Sequence, residues 1–510
     1  MIMTHPGLPW GWELAVWAVM LLLTLRALYR PVAANPGQWR YTLTRLPGLG
    51  ALVRYATRHP GPLLVLKVIS VALFLLVIVA GLAGSPIPER NIATALTWNL
   101  WWTGLIVSVF FLGSAWCAVC PWDTLADWLV KHRLWRRAPA ERSLNLRVPI
   151  QLRNILPALL LFIGLTWLEL GVGVTTNPYA TASIALLMLV LATVSLALFE
   201  RKAFCRYFCP VGRTIGFYAQ LAPVELRPIS TDVCSTCTTL DCYHGNADIE
   251  PCPTHLVMGR ISQNTYCTSC GHCAQSCPHE NIAWRLRPPG TEASQDARPH
   301  WDEAWFMLGL LALTLFHGLT MMPFWESWMT GLARRIGDSG QLLWSFSIGL
   351  TVSLVVPIGV YALAVWLTQR LVRVSLPFSR LFARLAFVAV PLAFAYHLAH
   401  NLNHLVREND GLAALFANPL GNGALPLSMA EKHARHLHLL IPQDMLFALQ
   451  AGLMMLGFYL AVEVIRRRSM GLTVNQGAAS RLRLLPLLAF TLLIHATSLW
   501  LLAQPMIMRM

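Results

Sequence analysis

Apolar residues fall in runs of about 20, the length that crosses the hydrocarbon core of a bilayer, and short polar stretches separate them. Ten runs qualify, near 9–29, 63–86, 97–116, 154–173, 180–200, 303–325, 343–369, 381–402, 445–465 and 485–505. Their length and unbroken apolarity predict ten membrane-spanning helices. One stretch interrupts the pattern. Residues 201–302 are too polar to span and too rich in Gly, Pro and Cys for a helix bundle.

Charge sorts the loops into two sets. One set carries Arg30, Arg40, Arg45, Arg54 and Arg58, then Lys131, Arg133, Arg136, Arg137, Arg142, Arg147 and Arg153. It continues with Arg370, Arg373, Arg380 and Arg384, and with Arg466, Arg467, Arg468, Arg481 and Arg483. The other set is poor in Lys and Arg, and the charges of the longer 403–444 segment nearly cancel. Ten spans with both termini periplasmic place every basic loop on the cytoplasmic side of the inner membrane. The start, "MIMTHPGLPWGWE", lacks a basic n-region, so the first run is expected to be a retained span.

Composition agrees. The chain is 56% hydrophobic and 12% charged, about half the charged share of a soluble domain, roughly 25%. The net charge of +15 sits in short loops between apolar runs, which fits membrane orientation and not nucleic-acid binding.

All 12 cysteines lie between Cys117 and Cys277, on the reducing face by this topology, where ligation is favoured over disulfides. The strongest motif is "CTSCGHCAQSCP": Cys267, Cys270, Cys273 and Cys277, with Pro278 next. In two-cluster ferredoxins the fourth such cysteine reaches the other cluster. Its partner motif is Cys234, Cys237, Cys242 and Cys252-Pro253. The crossed rule then gives two [4Fe-4S] sets: Cys234, Cys237, Cys242 and Cys277, and Cys267, Cys270, Cys273 and Cys252. The first half has irregular spacing, which leaves a three-iron or zinc site as the alternative there.

Two more motifs, "WCAVCPWDT" (Cys117, Cys120) and "FCRYFCPVGRT" (Cys205, Cys209), end the third and fifth runs. Each follows a two-span hairpin, as in a weak internal repeat whose interface holds a shared site. Four thiolates meeting there would hold a third redox centre or a soft metal such as Cu(I). The alternative is that Cys-Pro merely ends each helix.

Paired Cys-Pro motifs after hairpins, followed by the double cluster motif, resemble the NapH/NosR/CcoG group of membrane polyferredoxins over residues 63–290. Cys205 and Cys209 match that group's C-x3-C-P spacing, and Cys117 and Cys120 are one residue short. The resemblance implies a quinol dehydrogenase, an electron donor to a periplasmic reductase or a copper-handling oxidoreductase. The expected architecture is an all-α polytopic membrane protein with an inserted small α+β two-cluster ferredoxin-like domain. Residues 1–200 form an N-terminal membrane domain, 201–302 the cytoplasmic iron–sulfur domain, and 303–510 a C-terminal membrane domain.

The C-terminal half carries His317 and His495 inside apolar runs, and "AYHLAHNLNHL" puts His397, His400 and His404 on one face of a helix. Ionisable groups at such depth are functional candidates. His317 and His397 lie at similar depth and would suit an axial pair for b-type haem. With His433, His436 and His438, and with Met321, Met322, Met329, Met506, Met508 and Met510, copper is a second reading. The bland reading makes the histidines helix–helix hydrogen-bonders. Glu169 is placed near an outer interface, and Lys67 is expected to snorkel to the inner surface. There is no hydrolase triad, P-loop or dinucleotide fingerprint. The function expected is electron exchange between quinol or a cytoplasmic donor and a membrane or periplasmic redox partner. The alternative is copper reduction or metal-centre assembly.

Overall fold

The computed structural model describes residues 4–30, 39–132, 143–373, 376–407, 411–472 and 482–507. Arg133, Arg136, Arg137, Arg142 and Arg481 of the basic loops, and Met508 and Met510, lie outside the described residues.

All ten apolar runs are helical: α1 (Trp10–Tyr29), α2 (Pro60–Ala83), α3 (Ile92–Leu112), α4 (Leu156–Gly171), α5 (Pro178–Leu198), α6 (Trp301–Thr320), α7 (Leu343–Val372), α8 (Phe378–Arg407), α9 (Gln443–Arg468) and α10 (Leu485–Ala503). Nine of these are long and apolar enough to cross a membrane. Helix α4 falls short of the expected span. Its 16 residues reach about 24 Å at 1.5 Å per residue, against about 30 Å of hydrocarbon. Local chemistry sets both of its limits. The Asn154 carboxamide accepts from the Leu156 N–H at 3.0 Å at the start, and Gly173, at φ +78°, turns the chain away just past the end.

Burial divides the helices into centre and periphery. About 94% of the apolar window of α8 and 83% of that of α6 is buried inside the protein, against 22% for α1, α2 and α3. The outer helices present bare apolar faces, such as Val65, Leu66, Val68 and Ile69 of α2, as expected where lipid is the solvent. Small residues let backbones approach. A Cβ on Gly457 of α9 would stand 2.2 Å from the Cβ of Ala395 of α8.

Two small sheets complete the fold. Strands β1 (Thr4–His5) and β5 (Met506–Ile507) pair antiparallel, which joins the two ends of the chain. The other sheet has the order β2-β4-β3, from Tyr41–Thr42, Ile282–Leu286 and Val224–Pro228, all antiparallel. Its edge strand β2 therefore comes from the basic loop after α1. Beneath this sheet Arg287 is wholly buried, 3.0 Å from Glu225 and 2.6 Å from Glu292. Arg468, the last residue of α9, donates to the carbonyls of Ala293 and Ala297 at 2.6 and 2.9 Å. These contacts fix the cysteine-rich segment against the end of the bundle.

Candidate metal centres

The two Cys-Pro motifs are built alike. Cys117 lies in a tight turn, Ala115–Ala118, and Cys120 is the N-cap of helix Pro121–Lys131. Cys205 lies in the turn Phe204–Phe208, and Cys209 is the N-cap of helix Pro210–Tyr218, its Sγ accepting from the Gly212 N–H at 3.2 Å. Proline suits the first helical position, where an N–H would have no partner, so each motif presents its thiols at a helix start.

The four thiols share one neighbourhood. Burial pushes the Cys117 thiol up to about 12, with Cys209 and Asp123 adding to the rise and Arg213 opposing it. Burial, then Asp123, drives Cys120 and Cys205 well up; Cys209 and Cys117 add to the rise at Cys120, and Cys209 and Cys120 at Cys205. Cys209 is also raised by burial, against the Gly212 N–H and Arg213. The Cys205 thiol stands 3.7 Å from Asp123. Lys202 bridges Asp123 and Asp127 at 2.6 and 2.7 Å. Thiols held this high become good ligands only when a cation lies among them.

A second set lines a cavity of about 500 Å³: Cys234, Cys237, Cys242 and Cys277 all face it. The crossed partner, Cys277, is thus in the same wall as the first-half cysteines. Asn281 donates to Cys234 Sγ at 3.4 Å. The Leu240 N–H and the Thr239 hydroxyl hold Cys237 below its ordinary value.

Cys252, Cys267, Cys270 and Cys273 make the third set. Burial, with Cys270 and Cys252 adding to it and the Ser269 N–H opposing it, pushes Cys267 up to about 11. Burial drives Cys273 well up, followed by Cys270, Cys267 and Cys252. The Leu256 N–H donates to Cys252 Sγ at 3.3 Å and the Ser269 N–H to Cys267 Sγ at 3.4 Å; such bonds tune the potential of a cluster held by the sulfurs.

The sets adjoin. Cys242 of the second set contributes to the rise at Cys273 of the third. Ser114, just before Cys117, hydrogen-bonds Ser269 at 2.8 Å. A cavity of about 40 Å³, lined by Cys117, Cys270, Lys67, Asp123 and His272, lies between the third set and the Cys-Pro set. Lys67 is therefore turned into the protein, where snorkelling to the surface was the expectation.

Among the described residues no three His, Cys, Asp or Glu are set, as they stand, to hold a single metal ion.

The histidines part company. His397 Nδ1 lies 3.0 Å from the Tyr218 hydroxyl, and His495 Nε2 lies 2.9 Å from the Met454 carbonyl. The ring neighbour of His317 is His400, with centroids 5.2 Å apart. Two residues outside the expected ligand set join them: His404, 5.1 Å from His400, and His5, 6.3 Å from His404. His404 was legible, one turn beyond His400 on the same helix face. His5 carries no sequence signal, since only the β1–β5 pairing brings it in. Met321, Met322 and Met506 are buried, whereas Met329 packs on Gly349 and His433 and His438 are exposed. The His436 side chain lies outside the described residues.

Residues 94–139 and 181–222 match a family described as a 4Fe-4S binding domain. These two stretches carry the Cys-Pro pairs, one each. The chain is 27% identical over 130 residues to YccM of Escherichia coli (strain K12), named for a proposed role as an electron transport protein. That match covers 25% of this chain and 34% of YccM, so the chain spans about a third of that relative. It is 23% identical over 191 residues to the uncharacterized protein MJ0750 of Methanocaldococcus jannaschii, covering 35% of this chain and 75% of MJ0750. No solved structure matches.

Proposed function

We propose that this chain is a multi-pass iron–sulfur electron-transfer protein that takes electrons from a membrane quinol and passes them to a redox partner protein. The name of YccM and the resemblance to the NapH/NosR/CcoG group point the same way. In this reading each of the three four-thiol sets holds a [4Fe-4S] cluster, about twelve irons per chain. Bound clusters supply one-electron transfer.

The protein's own residues do the rest. The Cys-Pro turns bury four thiols at the foot of α3 and α5, while Lys202 and Arg213 offset part of the negative charge there. Arg287 and its two glutamates hold the cysteine-rich segment together, and Arg468 of α9 ties it to the bundle. Pairing of β1 with β5 puts both chain ends on one face, which requires an even number of crossings. Helix α4 is then the tenth, short crossing. The positions of the basic loops support a cytoplasmic side of an inner membrane for the thiol sets.

One observation carries the quinol assignment. An apolar groove of about 370 Å³ opens between α2, α3 and α5, and Trp116, Pro121 and Trp122 of the first Cys-Pro motif form its inner wall. Ser70, Thr97 and Ser108 place hydroxyls along it. The seven residues Ala95–Trp101 form a π-helical stretch of α3 beside it, a distortion that often marks functional sites.

Gly104 lines the groove, and a Cβ there would meet nothing within 4 Å. Gly104→Leu therefore fills the groove without displacing the fold. The expected result is loss of cluster reduction by a short-chain quinol with dithionite reduction intact. Unchanged quinol reduction in Gly104→Leu would overturn the quinol assignment.

A further inference from the structure

The bundle gathers imidazoles at the end away from the thiol sets. His317 comes from α6, His400 and His404 from α8, and His5 from the strand that ties the N-terminus to the C-terminus. His400 is 2% exposed, and neither of its ring nitrogens has a hydrogen-bond partner. A buried polar group left in that state costs free energy unless something else satisfies it. The bland reading of membrane histidines, as helix–helix hydrogen-bonders, fits His397 and His495 and fails for His400.

Spacing says what would satisfy it. Metal–imidazole bonds are about 2.0–2.1 Å and the ring centre lies about 1 Å further out, so two imidazoles on one tetrahedral ion have centres about 5 Å apart. His317–His400 and His400–His404 measure 5.2 and 5.1 Å. As the rings stand, no three of them are set around one ion, so metal binding requires them to turn until their nitrogens converge. An axial haem pair needs its rings on opposite faces of a macrocycle, at about 6 Å. Edge-to-face rings at 5.2 Å leave no slot for one.

The surroundings narrow the metal. His5 is the direct cross-strand partner of Met506, and both are buried. Directly opposed residues of an antiparallel pair point to the same face, so a thioether stands beside the imidazoles. Thioether with imidazole suits copper better than zinc. Room is also kept open here. A Cβ on Gly318, next to His317, would fall 1.7 Å from the Tyr396 hydroxyl oxygen, so glycine alone lets that ring lie beside His400.

We infer that His317, His400 and His404, completed by His5 and the Met506 thioether, form a copper site at the end of the bundle opposite the iron–sulfur sets. It stands apart from the quinol reading and survives that reading's failure.

The test loads full-length protein in nanodiscs with Cu(I), removes loose metal and measures copper and iron together. One firmly held copper per chain is expected, with nitrogen and sulfur neighbours by X-ray absorption. His400→Leu should weaken copper binding by more than the roughly 10–100-fold lost when an outer-shell partner is removed, with iron unchanged. His5→Ala, on a terminal strand, should weaken it while leaving the helices as they are. Copper retention equal to the parent in both variants would overturn the site. So would firm binding of zinc without copper, or a haem absorption band that disappears in His400→Leu.

Discussion

The two ends of the bundle solve opposite ligand problems. At the thiol end the donors become anions when they bind metal, and the protein surrounds them with Lys202, Arg213 and backbone N–H groups. At the imidazole end the donors are neutral, and they sit among the most buried helices, α6 and α8. The difference follows from the cost of burying charge: an anion in an apolar interior needs compensation, while a neutral ring needs only a partner for its nitrogens. One chain thus sets soft anionic ligands at a polar rim and uncharged ligands in its greasy core.

The largest expected effect tests whether the thiol end is a set of separable centres. Cys209→Ala removes one ligand of the Cys-Pro set and should cost about four of about twelve irons. The copper content at the other end should stay at the parental level. Iron analysis with low-temperature electron paramagnetic resonance reads both. Loss of all iron would mean that the three sets assemble as one unit, and loss of none would remove the Cys-Pro set from the account.

The next effect probes the charged scaffold at the thiol end. Arg287→Met removes the wholly buried one of the two arginines, Arg287 and Arg227, that Glu225 and Glu292 share. Breaking a buried pair from one side costs about 3–5 kcal/mol. Thermal unfolding followed by cluster bleaching should move down accordingly, and copper retention should not. Equal weakening at both ends would show that the bundle unfolds as a single body and that the comparison has no energetic content.

The same contrast explains what could be read from the sequence. The cysteine motifs were legible because their spacing is local: Cys267 to Cys277 span one short loop, and Pro121 and Pro210, after Cys120 and Cys209, mark two helix starts. Even the crossed membership of Cys277 in the cavity with Cys234, Cys237 and Cys242 followed from spacing. The ten helical runs were legible from apolarity, and α4 came out short because Asn154 and Gly173 bound it more tightly than hydropathy alone would. The imidazole end was half legible. Helix periodicity aligned His400 with His404 and depth pointed to His317, but nothing in the sequence told that the His317 ring lies beside His400 and that the Tyr218 hydroxyl lies beside His397. Strand β2, drawn from residues 41–42, was invisible because two residues carry no periodicity.

The smallest effect sharpens the comparison through pH. Burial alone would raise the Glu225 carboxyl, but Arg287, Arg227 and Arg285 outweigh it and hold the group below its ordinary 4.5. A depressed carboxylate contributes stability that is full above the unfolded value and disappears as pH falls through the lower folded value. The β3–β4 sheet should therefore loosen below pH 4.5, and Glu225→Gln should flatten that acid limb while lowering stability at neutral pH. Trp284 lies in β4 opposite Leu226 of β3, so hydrogen exchange at those two residues reports the sheet directly. An acid limb that is just as steep in Glu225→Gln would assign the acid sensitivity to other groups. It would also leave the charged scaffold without a measurable share in holding the thiol end.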